Sequence, residues 1–377
     1  MNLWKLIGLC IAVTLLVTAC EEDEVPTGLD LTAIPYAPTS WSVTLPDGWP
    51  QLEVPADNPM TEEGIDLGRH LFYDNILSAD NTQSCASCHF PEAGFTDNLA
   101  VSTGIDGIAG ERSAMSLINI GLVQPTTNNM GGILFWDGRS RTLEEQALLP
   151  IEDPIELHNE WPTVIKELQE SALYPEKFRK AFGINNTDEI TKELAAKAIA
   201  QFERSLLSYT SKYDRWRAGL TVFTDEEREG FNKFIDTDEI PFSNQLECSH
   251  CHALPTTTGN TFENNALQPA ETLADFADMG RGKVTGSDID AGKMRVPTLR
   301  NIALTAPYMH DGSLANLEDV LDHYMSGGHF SPTVSPFVND ISAKAYTEQD
   351  KIDMIAFLNT LTDPDFINDP KIQNPFE

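Results

Sequence analysis

Apolar residues recur along most of this chain at helical rather than strand spacing. From Glu189 to Tyr209, the residues Ile190, Leu194, Ala198, Ile199, Phe202 and Leu206 share one helical face, with Thr187 placed to cap it. Leu314 to Met325 sets Leu317, Val320, Leu321 and Tyr324 at i, i+3, i+4 and i+7. Thr347 to Leu361 carries Ile352, Ile355, Ala356 and Leu358 in a third amphipathic stretch. Long period-two strands are absent from the pattern, so the expected fold class is mainly α. Loops rich in Gly, Pro and Asn join the helices. One of them, Gly104-Ile105-Asp106-Gly107-Ile108-Ala109-Gly110, has regularly spaced glycines. No strand precedes it and no Lys-Ser/Thr follows, so it is no phosphate loop; it reads as a mobile flap.

Two short helical stretches look like copies of one unit. They run from Glu63 to Phe72 and from Glu227 to Phe234, and each leads into a cysteine motif. The motifs are Cys85-Ala86-Ser87-Cys88-His89 and Cys248-Ser249-His250-Cys251-His252. Cys-x-x-Cys-His attaches a c-type haem: each thiol adds across a vinyl group, and the adjacent His reaches the iron. Two zinc knuckles are the competing reading, and the His directly after the second Cys in both copies weighs against it. A redox dithiol would open a helix after a buried strand, which neither motif does. The remaining cysteines of the six, Cys10 and Cys20, fall in or at the end of an apolar N-terminal run. The expectation is two cytochrome c-type haem domains, residues 57–215 and 216–377, with the last helix returning onto the first domain.

Residues 1–19 read as a signal sequence, Lys5 followed by the apolar stretch Leu6 to Val17. That stretch is short for a bilayer span. Val17-Thr18-Ala19-Cys20 resembles a bacterial lipobox, which would leave Cys20 as a lipid-bearing N-terminus. A short N-terminal membrane anchor is the other reading. Both place the protein outside the cytoplasm, on the periplasmic or cell-surface face of a Gram-negative membrane. Residues 20–56 are rich in Pro and acids and read as a tether. Their opening run, Glu21-Glu22-Asp23-Glu24, reads either as an export tag or as a solvated linker. The net charge of −33 argues against nucleic acid and anionic lipid surfaces as partners. It suits a small basic electron carrier, and it equally serves solubility alone.

Several blocks occur in an order that resembles the bacterial di-haem cytochrome c peroxidases and their relative MauG, which matures a tryptophan-derived quinone cofactor. They begin with Leu67-Gly68-Arg69-His70-Leu71-Phe72-Tyr73-Asp74, Cys85 to His89 and Phe95-Thr96-Asp97. Phe135-Trp136-Asp137-Gly138-Arg139 and Glu144-Glu145-Gln146-Ala147 follow. Val296-Pro297-Thr298-Leu299-Arg300-Asn301 and Ala306-Pro307-Tyr308-Met309-His310-Asp311-Gly312 complete the set, so the likeness runs from about Leu67 to Leu361.

The resemblance implies that His89 and His252 are the proximal iron ligands of two covalent haems c. It implies that Trp136 lies between the haems, that Glu156 is the distal acid and that Gln146 accompanies it. It also implies one bridging calcium, at Asn119 and the backbone carbonyls of Thr305 and Pro307. Many relatives carry a second His on the N-terminal haem, but Phe90 to Leu157 contains none. The first iron would then be open to peroxide. The matching distal ligand of the second haem is Tyr324. Met325 is adjacent but turned about 100° around the helix. A phenolate lowers the iron potential, whereas Met raises it.

The function expected on this basis is reduction of hydrogen peroxide with electrons from a small protein, a cytochrome c or a cupredoxin, entering at the C-terminal haem. Glu156 would act as base and then acid. A MauG-like oxidase of a protein or other large substrate is the first rival. A non-enzymatic two-haem electron-transfer protein is the second. A homodimer is an open option for assembly.

Overall fold

The computed structural model describes residues 28–123, 132–235 and 246–377. The signal stretch and Cys20 lie outside the described residues. The architecture is helical, and its only sheet among the described residues is a two-residue antiparallel pair, β1 (Phe262–Glu263) with β2 (Met294–Arg295).

The first half is built on α1 (Glu62–Tyr73), α2 (Leu143–Glu152), α3 (Trp161–Glu170), α4 (Tyr174–Phe182) and α5 (Lys192–Ser205). The long C-terminal apolar pattern of this half begins later than its spacing alone implies. Thr191, not Thr187, accepts the capping bond, from Leu194 N–H, and Thr187 opens a separate 3-10 turn. The second half contains α6 (Lys212–Arg217), α7 (Asp225–Phe234), α8 (Arg281–Thr285), α9 (Leu317–Ser326), α10 (Pro336–Ser342) and α11 (Glu348–Asn359). Tyr213 and Trp216 of α6 pack with Phe223, Phe231 and Phe357 of the second core. The last helix, α12 (Pro364–Ile367), returns to the first half: Phe366 packs on Phe95, and Tyr73 donates to Ile372 O at 2.7 Å.

Both halves repeat one packing device. Gly68 of α1 lies so close to α5 that a Cβ there would come within 1.9 Å of Ala198 O, and a Cβ on Gly230 of α7 would come within 2.0 Å of Asp353 O of α11. Lacking a side chain, each glycine lets two helix backbones cross in contact. Turns repeat as well. Asn119 and Asn301 both have φ +59 and each precedes a 3-10 turn. Phe135 and Met309, both at positive φ, precede Trp136 and His310. The bridges Leu134–Ser140 and Tyr308–Leu314 then close equivalent loops ahead of α2 and α9.

Residues 28–56 are not a free tether. Asp30 bridges Asn186, Leu31 N–H donates to Asn185 O, and Trp41 N–H donates to Met60 O. The physical reason is apolar anchoring: Leu31 joins the first core, and buried Trp49 lies against Tyr209 and under the Arg300 guanidinium at 4.7 Å. Arg300 itself is fully buried and held bidentately by Asp214 at 2.6 and 3.0 Å.

Candidate functional site: two haem cavities joined at a tryptophan

Equivalent helices shape two cavities. The first, of about 560 Å³, is lined by Phe72 of α1, by Leu143, Gln146, Ala147 and Pro150 of α2, and by Ile199 and Glu203 of α5. The second, of about 190 Å³, is lined by Phe234 of α7, by Leu317, Val320, Leu321 and Tyr324 of α9, and by Met354 and Leu358 of α11. On α2 and on α9 the lining residues fall at i, i+3, i+4 and i+7, so one helical face looks into each cavity.

Cys85, Cys88 and His89 line the first cavity, and Cys248, Cys251 and His252 the second. All four cysteines are free of disulfides. His89 Nδ1 meets Phe95 O at 2.8 Å, and His252 Nδ1 lies 3.1 Å from both Thr257 O and Pro297 O. Those carbonyls require Nδ1 to carry the proton, which leaves Nε2 as the ligating nitrogen. Burial disfavours the charged imidazole: His89 is held below its ordinary range and His252 is pushed down to about 4. Both rings are therefore neutral at pH 7, the form in which Nε2 could ligate a metal.

The second cavity also contains an orphaned cation. Arg295 is 3% exposed, its Nε and Nη1 have no hydrogen-bond partner, and Nη2 reaches only Met115 Sδ at 3.2 Å. A buried guanidinium without an anion is costly. A c-type haem brings two propionates, so the orphan, the paired thiols and the oriented imidazoles together fit that group.

Trp136 lines both cavities. Its ring lies 6.4 Å from that of His310, edge to face. Its Nε1–H donates to Ser113 O at 2.9 Å, Ser113 N–H donates to His310 O at 2.7 Å, and Arg295 N–H donates to Trp136 O at 2.7 Å. Arg112 clamps the same junction, pairing with Asp137 at 2.8 Å and with Asp278 at 2.7 and 2.9 Å.

On the far side of the first cavity, Glu156 and Gln146 come together with Arg139 and Asp153. Burial, reinforced by Asp153 and opposed by Arg139, raises the Glu156 carboxyl to about 7. Gln146 Oε1 is buried without a partner. The Gly104 loop does lie at this cavity, and it is tied down. Thr103 bridges Ala109, Ile105 N–H donates to Glu156 O, and Asp106 meets His158 Nδ1 at 2.5 Å.

Tyr324 is half-buried at the second cavity and desolvation there strongly opposes its ionisation, while Met325 does not line it. Asn119 pairs with Ser208: its amide donates to Ser208 O at 3.0 Å and its oxygen accepts from Ser208 N–H at 2.8 Å, which leaves that oxygen a second lone pair. Asn98 ties the neighbouring segment to the first half, its amide donating to Leu304 O and Ala306 O at 2.8 Å. A calcium ion at Asn119, Thr305 and Pro307 stays an expectation of the resemblance. Two lining residues escape the sequence reading, Glu203 and Arg295. A signal existed for the first: Glu203 follows Ile199 by four residues on the apolar face of its helix.

Two oriented histidines beside paired cysteines, in two halves of repeated design, define a di-haem c-type protein. Residues 62–221 match the family model described as di-haem cytochrome c peroxidase. The chain is 34% identical over 318 residues to the cytochrome c551 peroxidase of Nitrosomonas europaea, covering 83% of this chain and 84% of that one. It is 32% identical over 310 residues to the methylamine utilization protein MauG of Methylorubrum extorquens, covering 81% and 80%. The crystal structure of a MauG-like protein associated with microbial copper homeostasis superposes with a TM-score of 0.79 at 35% identity, covering 90% of this chain and 100% of that one. The chain belongs to the family of di-haem cytochrome c peroxidases and MauG proteins, whose members carry two haems c. Among the described residues no helix is long and apolar enough to cross a membrane.

Proposed function

We propose that the protein reduces hydrogen peroxide at the N-terminal haem, using electrons delivered to the C-terminal haem by a small basic redox protein such as a cytochrome c or a cupredoxin. The observation that carries this reading is a pair of equivalent positions. The eighth residue of α9 is Tyr324, with a ligating oxygen; the eighth residue of α2 is Pro150, which offers none. Both line their cavities. Tyr324 would thus offer a haem in the second cavity a side-chain oxygen, while one in the first cavity would meet a proline, an amide and an acid.

Cys85, Cys88 and His89 would hold a haem, which would supply the redox chemistry. The surrounding residues manage protons and position. Glu156 in its carboxylate form accepts a proton from the near peroxide oxygen and returns it to the far one, as base and then acid. Gln146, with its unpartnered oxygen, orients the peroxide. Trp136, which lines both cavities, would bridge them. His89 and His252 keep their Nε2 lone pairs directed by the backbone carbonyls behind them.

A MauG-like oxidation of a large substrate is the second reading, and Tyr324 at the distal position favours it. Steady-state turnover separates the two. The holoprotein with peroxide and reduced cytochrome c is expected to oxidise the cytochrome in sustained turnover. No oxidation above the uncatalysed rate with basic cytochromes or cupredoxins would overturn the peroxidase reading. Lipid attachment at Cys20 and a periplasmic or surface location belong to the same proposal; mass spectrometry of the membrane-extracted protein tests them.

A further inference from the structure

The internal repeat gives each cavity-lining residue a counterpart in the other half, and one pair is chemically mismatched. The close helix contacts align Gly68 with Gly230 and the α5 residues Ala198 and Phe202 with Asp353 and Phe357 of α11. On that alignment Ile199 matches Met354, and Glu203 matches Leu358. All four line cavities. Where the second haem meets a leucine, the first meets a carboxylic acid.

This acid is not a surface residue whose tip reaches water. Glu203 is 4% exposed, and its Oε2 is buried with no hydrogen-bond partner. The neighbouring cation does not satisfy it: the Arg204 guanidinium pairs with Glu144 of α2 at 2.9 Å and with Ala200 O. The charged and titratable groups facing Glu203 are few. Arg204, on its own helix, favours the carboxylate; Glu144, from α2, opposes it. The Cys85 thiol, in the haem-attachment turn, lines the same cavity as Glu203 and Glu156 and feels the charge of both. Burying a carboxyl unpaired is unfavourable, and the leucine of the other half shows that the fold does not require it.

We propose that Glu203 is a proton-exchanging group coupled to the charge on the N-terminal haem, releasing its proton when that haem is oxidised and recovering it from solvent when an electron arrives. One electron from the external donor is matched by one proton taken up by the carboxylate, so the charge added beside a buried acid is neutralised. Burial raises this carboxyl to about 8, close enough to neutrality for either form to be reached. The proposal rests on the first cavity holding a redox-active haem, and it does not require peroxide to be the substrate.

The test is a redox titration of the holoprotein at a series of pH values, with Glu203→Gln, Glu203→Leu and Glu156→Gln beside the parent. The parent's N-terminal haem potential is expected to fall as pH rises through the neutral to mildly alkaline range. Glu203→Gln and Glu203→Leu should flatten that fall around pH 8, whereas Glu156→Gln, whose carboxyl is raised only to about 7, should keep this alkaline part. Redox-difference infrared spectra should lose one protonated-carboxyl band in Glu203→Gln, which preserves shape should the leucine variant fail to fold. A protein unable to turn over peroxide still yields this titration, so the two proposals fail separately. An unchanged pH slope and an unchanged carboxyl band in Glu203→Gln would overturn the assignment.

Discussion

Trp136 and His310 occupy the same place in two repeated loops, and their rings meet edge to face at 6.4 Å between the cavities. The backbone reinforces this symmetry. Ser113 N–H donates to His310 O and Arg295 N–H to Trp136 O, each at 2.7 Å, so each half holds the other half's central residue. The junction is therefore fixed by crossed hydrogen bonds as well as by aromatic contact.

Replacing Trp136 with Phe should leave both haems attached and the fold intact, because the crossed bonds use backbone atoms. Electron transfer between the haems should slow by at least roughly tenfold, a loss of about 1.4 kcal/mol of transition-state stabilisation. Stopped-flow absorbance following pre-reduction of the second haem measures it. An unchanged rate would show that electrons bypass the indole.

The Glu156 carboxyl, raised to about 7 mainly by burial, predicts a pH profile. The carboxylate is the form that accepts the peroxide proton. Peroxide cleavage should therefore be slow near pH 5, rise through pH 7 and level off above it. Glu156→Gln should remove that limb and lower the plateau by roughly 10²-fold. The sign for stability is opposite. The folded protein holds this proton more tightly than the unfolded chain, so the group's contribution is complete below the ordinary carboxyl range and is lost as pH rises through about 7. Denaturation of parent and Glu156→Gln at pH 5 and pH 8 separates the two effects.

Much of this site is legible in the chain because it is local. Each Cys-x-x-Cys-His needs only five residues, and the face of α9 ending in Tyr324 follows from helical spacing. The parts that escape the sequence depend on distant partners. Residues 28–56 look like a tether by composition, yet Leu31 and Trp49 fasten them to the body. Arg295 is notable only once its burial without an anion is known. The acid at Glu203 gains meaning from Leu358, a comparison that needs two helix crossings superposed. Asn119 resembles a metal ligand by position, and its pairing with Ser208 from a distant segment is not legible in the chain.

Stability should depend strongly on a buried pair that lines neither cavity. Arg300 is held by Asp214 at 2.6 and 3.0 Å and covered by Trp49. Asp214→Asn strands a buried guanidinium and should cost about 3–5 kcal/mol in chemical denaturation. Because Trp49 lies over the same cation, the N-terminal segment should also become more sensitive to limited proteolysis. Removing the cation as well, in Arg300→Met with Asp214→Asn, should recover part of that loss, since the uncompensated charge is its main source.

The contrast between Tyr324 and Pro150 makes the last prediction. Tyr324 lines the second cavity, where desolvation opposes its ionisation. Only a ferric iron within bonding reach would stabilise the phenolate there. Tyr324→Met should therefore raise the potential of the second haem, since thioether ligation favours the ferrous state and phenolate the ferric. Tyr324→Phe should instead leave that iron without a side-chain oxygen and convert its ferric electron paramagnetic resonance signal from low spin to high spin. The first haem's signal should be unaffected in both variants, because Pro150 holds the equivalent place there. A second-haem potential that is unchanged in Tyr324→Met, with a low-spin signal retained in Tyr324→Phe, would show that another group closes the second iron and that Tyr324 is a packed core tyrosine.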